Sequence, residues 1–267
     1  MRKSAALLIT SLSLLISHSL YAAPLRVAAD PVPHSEILNY VKKIDPKLDL
    51  KIIEMTNGAN PNELLASGDV DANYFQHLPY LHEQEKALGK KFVVAAAVHI
   101  EPLGIYSHKY KTLADLPQGA KIAIPNNATN LSRGLWLLQD NGLIKLKGER
   151  SAESTLVTPK DIIENPKNVK ILEIESPQIP RSLDDVDAGI INGNYALEAG
   201  LSPAKDALGI EKGKDNPYAN LLVTTPALAN DPRIKQLAKD LTSPQVAEFI
   251  RTQYHGSVIP VAGSAHD

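Results

Sequence analysis

The chain has 267 residues, 43% apolar and 22% charged, a balance that fits a globular protein and excludes disordered and fibrous classes. Lys and Arg number 28 against 30 Asp and Glu, so no strong field draws in nucleic acid or an anionic membrane surface. Cysteine is absent, which removes disulfides, thiol nucleophiles, thiolate metal ligands and a lipid-anchor cysteine.

Arg2 and Lys3 begin a short cationic start, followed by an apolar run from Ala5 to Ile16 and small residues at Ala22 and Ala23. This pattern predicts a signal peptide over 1–22 and an exported, untethered protein suited to a periplasm. The run is too short and Ser-rich to span a bilayer.

From there one order of elements occurs twice. Leu25 to Ala29 alternates as a strand. After the turn at Pro31 to Pro33, the residues Ile37, Leu38, Val41 and Ile44 mark one face of a helix. Leu50 to Met55 reads as a strand, Asn60-Pro61 starts a helix that Gly68 ends, and Val70 to Phe75 is a third strand. The second pass has a strand at Lys121 to Pro125, a helix with apolar face Leu135, Trp136, Leu138 and Leu143, a strand at Lys170 to Ile174, a short helix at Pro180 to Asp184, and a strand at Val186 to Asn192. VDANYF closes the first pass and VDAGIINGNY the second, a weak repeat whose value lies in its place in the order.

Alternating strands and helices predict a mostly parallel α/β sheet in each of two lobes. The segments 99–107 and 216–225 read as the two crossings, with C-terminal helices at Pro232 to Leu241 and Pro244 to Tyr254. Lobe 1 is expected over 23–105 and 220–267, lobe 2 over 106–219.

Ligands of such folds gather at strand C-termini. That edge collects Asp30 and His34, Asn73 to His77, Asn126 to Arg133, Gln178, and Asn192 to Tyr195. Arg133 follows the turn PNNATNLS, in the first turn of a helix capped by Thr129 or Asn130, where its guanidinium and free helix N–H groups suit a carboxylate; an exposed helix-face arginine is the equal alternative. Asn192 and Asn220 can accept from an ammonium and donate to a carboxylate; the competing reading, an Asn that closes a turn, is strong for Asn194 in NGN and weaker for Asn220 within its apolar run. Tyr74, Phe75, His77, His99 and Tyr106 offer aromatic and imidazole edges that pack well against a thioether, with a core role the competing reading. His34, His77, His99 and Glu101 raise a metal-dependent hydrolase as a rival, but no HxxxH or HExxH spacing supports it. No nucleophile elbow, P-loop or dinucleotide fingerprint occurs, which favours binding over catalysis and calls for no cofactor.

The strings PVPHSEIL, ANYFQHLPYL, HIEPLGIYS, IAIPNNATNLSRGLWLLQ and SPQVAEFIRTQYHGSVIP resemble the methionine-binding proteins of methionine ABC importers, over about residues 25 to 261. The resemblance implies a two-lobed periplasmic-binding-protein fold of type II, with its ligand cleft between the lobes. It implies a non-enzymatic monomer that captures free methionine and delivers it to a membrane permease. A Met-containing dipeptide or another small amino acid is the alternative ligand. It places Tyr74, Phe75, His77 and His99 around the ligand's side chain, Arg133 on its carboxylate, and Asn192 and Asn220 on its backbone groups. Two departures stand out: Ala128 replaces a usual proline in the turn before Arg133, which should loosen it, and the anchoring Cys of many relatives is missing.

Overall fold

A computed structural model describes residues 23–56, 59–150, 156–213 and 216–261; the expected signal peptide lies outside them. In chain order, β1 (Leu25–Ala29), α1 (Glu36–Ile44), β2 (Leu50–Glu54), α2 (Pro61–Ser67), β3 (Ala72–His77), α3 (Leu78–Leu88) and β4 (Val93–Ile100) build the first lobe. The chain then leaves it. β5 (Gly104–Tyr106), β6 (Lys121–Pro125), α4 (Ala128–Asp140), β7 (Lys145–Leu146), β8 (Ile162–Glu164), β9 (Lys170–Ile174), β10 (Ala188–Ile191), α5 (Gly193–Glu198), α6 (Pro203–Asp206) and β11 (Gly209–Ile210) form the second. β12 (Ala219–Thr224), α7 (Pro232–Leu241), α8 (Pro244–Tyr254) and β13 (Ile259–Pro260) return to the first.

The six-stranded sheet has the order β13-β4-β12-β3-β1-β2 and the five-stranded sheet β11-β5-β10-β6-β9, with β7 and β8 pairing as a separate ribbon. The repeat of element order is thus a repeat of topology: β3-β1-β2 and β10-β6-β9 are parallel triplets in which the first strand is central. Each triplet is extended by an antiparallel crossing strand beside its third member, β12 beside β3 and β5 beside β10. The first sheet therefore draws on residues 25–100 and 219–260, the second on residues 104–210.

Local chemistry explains the element ends. Asn60 caps α2 by accepting from the Asn62 N–H, and Gly68 ends it in the left-handed region at φ 82°. The N–H groups of Asp69 and Val70 then close that helix end on the Leu64 carbonyl, so β3 starts two residues later than its apolar pattern predicts. On α1, Ile37, Leu38 and Val41 are fully buried, while Ile44 at the last position is 38% exposed. The three buried side chains stabilise the fold by roughly 1.5 to 3 kcal/mol each. They pack with Leu25, Val27, Tyr74, Leu222 and the apolar faces of α7 and α8 into the core of the first lobe. Leu135 and Leu138 of α4, with Ile122, Ile124 and Ile190, centre the core of the second. Pro180–Ser182 is a short 3-10 turn where a helix to Asp184 was expected.

Candidate functional site

A cavity of about 670 Å³ lies between the lobes, within the range of small-molecule sites. Its floor comes from the C-terminal ends of β1 and β3, from the start of β12, and, in the second lobe, from the N-terminal turns of α4 and α5. Phe75, His77, Arg133, Asn192 and Asn220 line it, together with Asp30, Gln76, Tyr80, Asn130, Asn194 and Tyr195.

Tyr74 and His99 do not line it, which corrects the expectation for both. Strand alternation turns Tyr74 away from Phe75. Its hydroxyl is bonded to His99 Nδ1 in the fully buried layer behind the cavity. His34, Asn73 and Gln178, also expected at the strand edge, lie off the lining as well.

Arg133 stands one turn further into its helix than expected. Asn127, not Thr129 or Asn130, caps α4 by accepting from the Asn130 N–H at 3.0 Å. That bond fixes the start of the helix, with Ala128 at its first position. Arg133 is 3% exposed, neither a surface arginine nor a member of the first turn. Its Nε and Nη2 donate to both oxygens of Glu211 at 2.8 and 2.6 Å, and Nη2 also donates to the Glu101 carbonyl at 2.9 Å. The Tyr218 ring covers the guanidinium carbon at 4.1 Å. Nη1 has no partner among the described residues and is the nitrogen left for a ligand. Burial alone would push the Glu211 carboxyl up, but the charge and hydrogen bonds of Arg133 outweigh it and hold Glu211 below the usual carboxylate range.

His77 ends β3 and caps α3. Its Nδ1 accepts from the Tyr80 N–H at 3.2 Å, so Nε2 carries the hydrogen and donates to Asn130 Oδ1 at 3.0 Å, across the cleft. Burial, then the nearby charge of Arg133, pushes its pKa down to about 3, so the ring is neutral. A second bridge joins the lobes where Asn194 Nδ2 donates to Asp30 Oδ2 at 3.0 Å. Burial and the neighbouring Glu101 and Glu198 carboxylates push Asp30 up to about 8, although the side chain keeps some contact with water at the cleft wall.

Behind Asn220 the Glu101 carboxylate gathers three N–H groups. Oε1 lies 2.7 Å from His99 Nε2 and 3.1 Å from His34 Nε2, and Oε2 accepts from the Asn194 N–H at 2.7 Å. Burial pushes Glu101 up, with His34, the Asn194 N–H and Arg133 opposing. Burial likewise lowers His34 to about 4 and His99 to about 3. Of the four groups of the hydrolase reading, His34, His99 and Glu101 have ligand-type atoms within 4.8 Å of one another, while His77 belongs to the Asn130 bridge. Within that trio the Glu101 carboxylate is held by both histidines; Glu101 reaches the cavity lining, while His34 and His99 stand behind it.

Polarity along the cavity is directional. Arg133 Nη1 and the Asn220 side-chain N–H₂ are donors without a partner among the described residues. Asn192 Oδ1 is a buried acceptor with none. An unpaired buried acceptor costs about 1 to 3 kcal/mol unless something donates to it. Phe75 and Tyr80, in edge-to-face contact at 5.9 Å, furnish the apolar wall.

Residues 25–262 match the family described as NlpA lipoprotein. The chain belongs to the NlpA lipoprotein family. Among curated members, the D-methionine-binding lipoprotein MetQ of Salmonella typhi is 42% identical over 84% of this chain and 82% of its own length. The methionine-binding lipoprotein MetQ of Bacillus subtilis is 40% identical over 88% and 87%. Among solved structures, a nutrient-binding protein from Burkholderia cenocepacia bound to methionine superposes with a TM-score of 0.84 at 45% identity, covering 89% of this chain and 99% of that one. An ABC transporter periplasmic substrate-binding protein from Coxiella burnetii gives 0.82 at 41%, over 88% and 99%. This member of the NlpA lipoprotein family therefore has the two-lobed periplasmic-binding-protein fold of type II, in a family of substrate-binding proteins. Among the described residues no helix is long and apolar enough to cross a membrane.

Glu211 and Tyr218 are site residues that motif reading did not single out. Glu211 lies in the charged stretch EKGKDN, which has no periodicity to separate it from a solvated loop. Only the fold brings it to Arg133, 78 residues earlier in the chain.

Proposed function

We propose that the protein captures free methionine between its two lobes and delivers it in the periplasm to the permease of an ABC importer. The carrying observation is the direction of the unpaired polar groups. Donors on Arg133 and Asn220 suit a carboxylate, the Asn192 acceptor and the Asp30 carboxyl suit an ammonium, and Phe75 with Tyr80 suits an apolar side chain. Such a site complements a zwitterionic amino acid. The ligand contacts of this reading are Phe75, His77, Arg133, Asn192 and Asn220, with Tyr74 and His99 supporting them from behind. The names borne by relatives in two organisms support methionine. A Met-containing dipeptide or another small amino acid is the second reading, favoured by a cavity roomier than one amino acid needs. The role is that of a monomeric receptor without catalysis, cofactor, metal or nucleic-acid partner. The expectation of an untethered chain gains no support from relatives named as lipoproteins.

Thermal unfolding tests the reading directly. Methionine at 100 times its dissociation constant should add about 2.7 kcal/mol of stability and raise Tm. A shift with leucine, glutamine or a methionyl dipeptide but none with methionine moves the assignment to the second reading. Near one metal ion per purified chain, with no ligand shift, returns the hydrolase.

A further inference from the structure

The face an asparagine shows a ligand depends on which end of its amide is held behind it, because the two ends have nearly the same shape and opposite hydrogen-bonding character. At position 220 the holder is His34, whose Nε2 lies 2.9 Å from Asn220 Oδ1 and 3.1 Å from Glu101 Oε1. The ring's protonation follows from the chain of contacts around it. The Tyr74 hydroxyl occupies His99 Nδ1, so the neutral His99 ring carries its hydrogen on Nε2 and donates to Glu101 at 2.7 Å. With Glu101 ionised, the same carboxylate oxygen faces His34 Nε2, so that nitrogen carries a hydrogen too. A nitrogen that donates toward Asn220 can be met only by the amide oxygen. A flipped amide would set N–H against N–H in a pocket where His34 is 1% and Asn220 7% exposed, leaving buried donors unmade. With Oδ1 so held, the amide N–H₂ has no partner among the described residues and turns to the cleft.

We propose that His34 is a positioning and specificity-determining residue: by holding Asn220 Oδ1 it commits position 220 to donate, and so sets the cleft for a ligand carboxylate over a carboxamide. The inference rests on the amino-acid reading above. Without His34 the amide is free to turn, and its carbonyl can accept from a ligand N–H₂ as readily as its N–H₂ donates to a carboxylate.

The experiment titrates methionine and methionine amide by calorimetry into the wild type, His34→Leu and His34→Gln. The wild type should prefer the acid. In His34→Leu that preference should shrink by roughly tenfold or more, the size expected of a hydrogen bond to a charged group. Glutamine, which can still donate toward Asn220, should restore most of it. A purely packing role would weaken both ligands alike, and an unchanged ratio in His34→Leu overturns the proposal. If the leucine variant does not fold, His34→Asn, polar but too short to reach Asn220, carries the same expectation. A wild type that binds neither ligand sinks the amino-acid reading instead. The orientation is then read by NMR, where Asn220 amide protons in contact with the His34 ring overturn the inference and protons remote from it uphold it.

Discussion

Glu101 and Glu211 occupy matching places, one on each crossing between the lobes, and their surroundings drive them in opposite directions. Glu211 meets a guanidinium in a bidentate pair and accepts the Leu103 N–H at 2.9 Å, which also ties the two crossings together. Its carboxyl is held low. Glu101 meets two neutral imidazoles and one backbone N–H, and its carboxyl is pushed up. Equal burial therefore has unequal consequences. A buried carboxylate facing a cation is an essential half of a pair, whereas one facing neutral donors is an acceptor hub that tolerates a proton.

The largest expected effect follows from removing the charge of Glu211. Glu211→Gln leaves the Arg133 guanidinium buried without a counter-charge and should cost about 3 kcal/mol or more in urea unfolding at neutral pH. A loss below about 1 kcal/mol would show that Tyr218 and the Glu101 carbonyl suffice for the cation. Next is binding rather than stability. Asn220→Ala should weaken methionine by about 1.5 to 3 kcal/mol in calorimetry while the ligand-free protein melts close to wild type. Normal binding would assign Asn220 to the scaffold.

Glu101→Gln should cost less than Glu211→Gln, about 1 to 2 kcal/mol, chiefly by setting an amide N–H₂ against the Asn194 N–H. Its pH dependence has a definite sign. A carboxyl whose folded pKa is raised loses stability as pH rises from its unfolded value near 4.5 toward the folded one. The gap between variant and wild type should narrow over that interval, and a gap that widens would mean that Glu101 is held low like Glu211. The last test is one of pH slope alone and belongs to Asp30. Its pKa is raised from 3.8 to about 8, so stability contributed by the protonated form declines as pH climbs between those values. Asp30→Asn should flatten the fall of unfolding free energy over pH 5 to 8, where the full linkage slope is about 1.4 kcal/mol per pH unit and contact with water at the cleft wall lowers it. An unchanged slope would put the titration elsewhere.

Much of this was legible before the structure, and the division has a physical basis. Apolar periodicity exposes strands and helices because each element must bury a face, so the doubled order of elements and the C-terminal helices at Pro232–Leu241 and Pro244–Tyr254 were readable. Asn220 stood out as a polar side chain inside an apolar strand. The partners of these residues were not readable. Whether Tyr74 or Phe75 faces the cleft depends on register, and β12 carries register shifts against both neighbours. Arg133 meets Glu211 across 78 residues and His34 meets Asn220 across 186, so each pairing exists only once the return crossing is folded against the lobe concerned.

The position of β12 in the first sheet has a further consequence for how the chain acquires its shape. It is inserted between β3 and β4, both of which precede the second lobe, and it follows that lobe. The second lobe's strands are contiguous in the chain, so its sheet can close by local encounters. The first sheet keeps an open seam until the last part of the polypeptide arrives to fill it. Loop closure over so long a separation is entropically slow. Folding should therefore be staggered, with the second lobe maturing early and the first depending on the C-terminal segment. A nascent or truncated chain lacking residues beyond 218 would expose the edges of β3 and β4 as pairing templates for neighbouring chains.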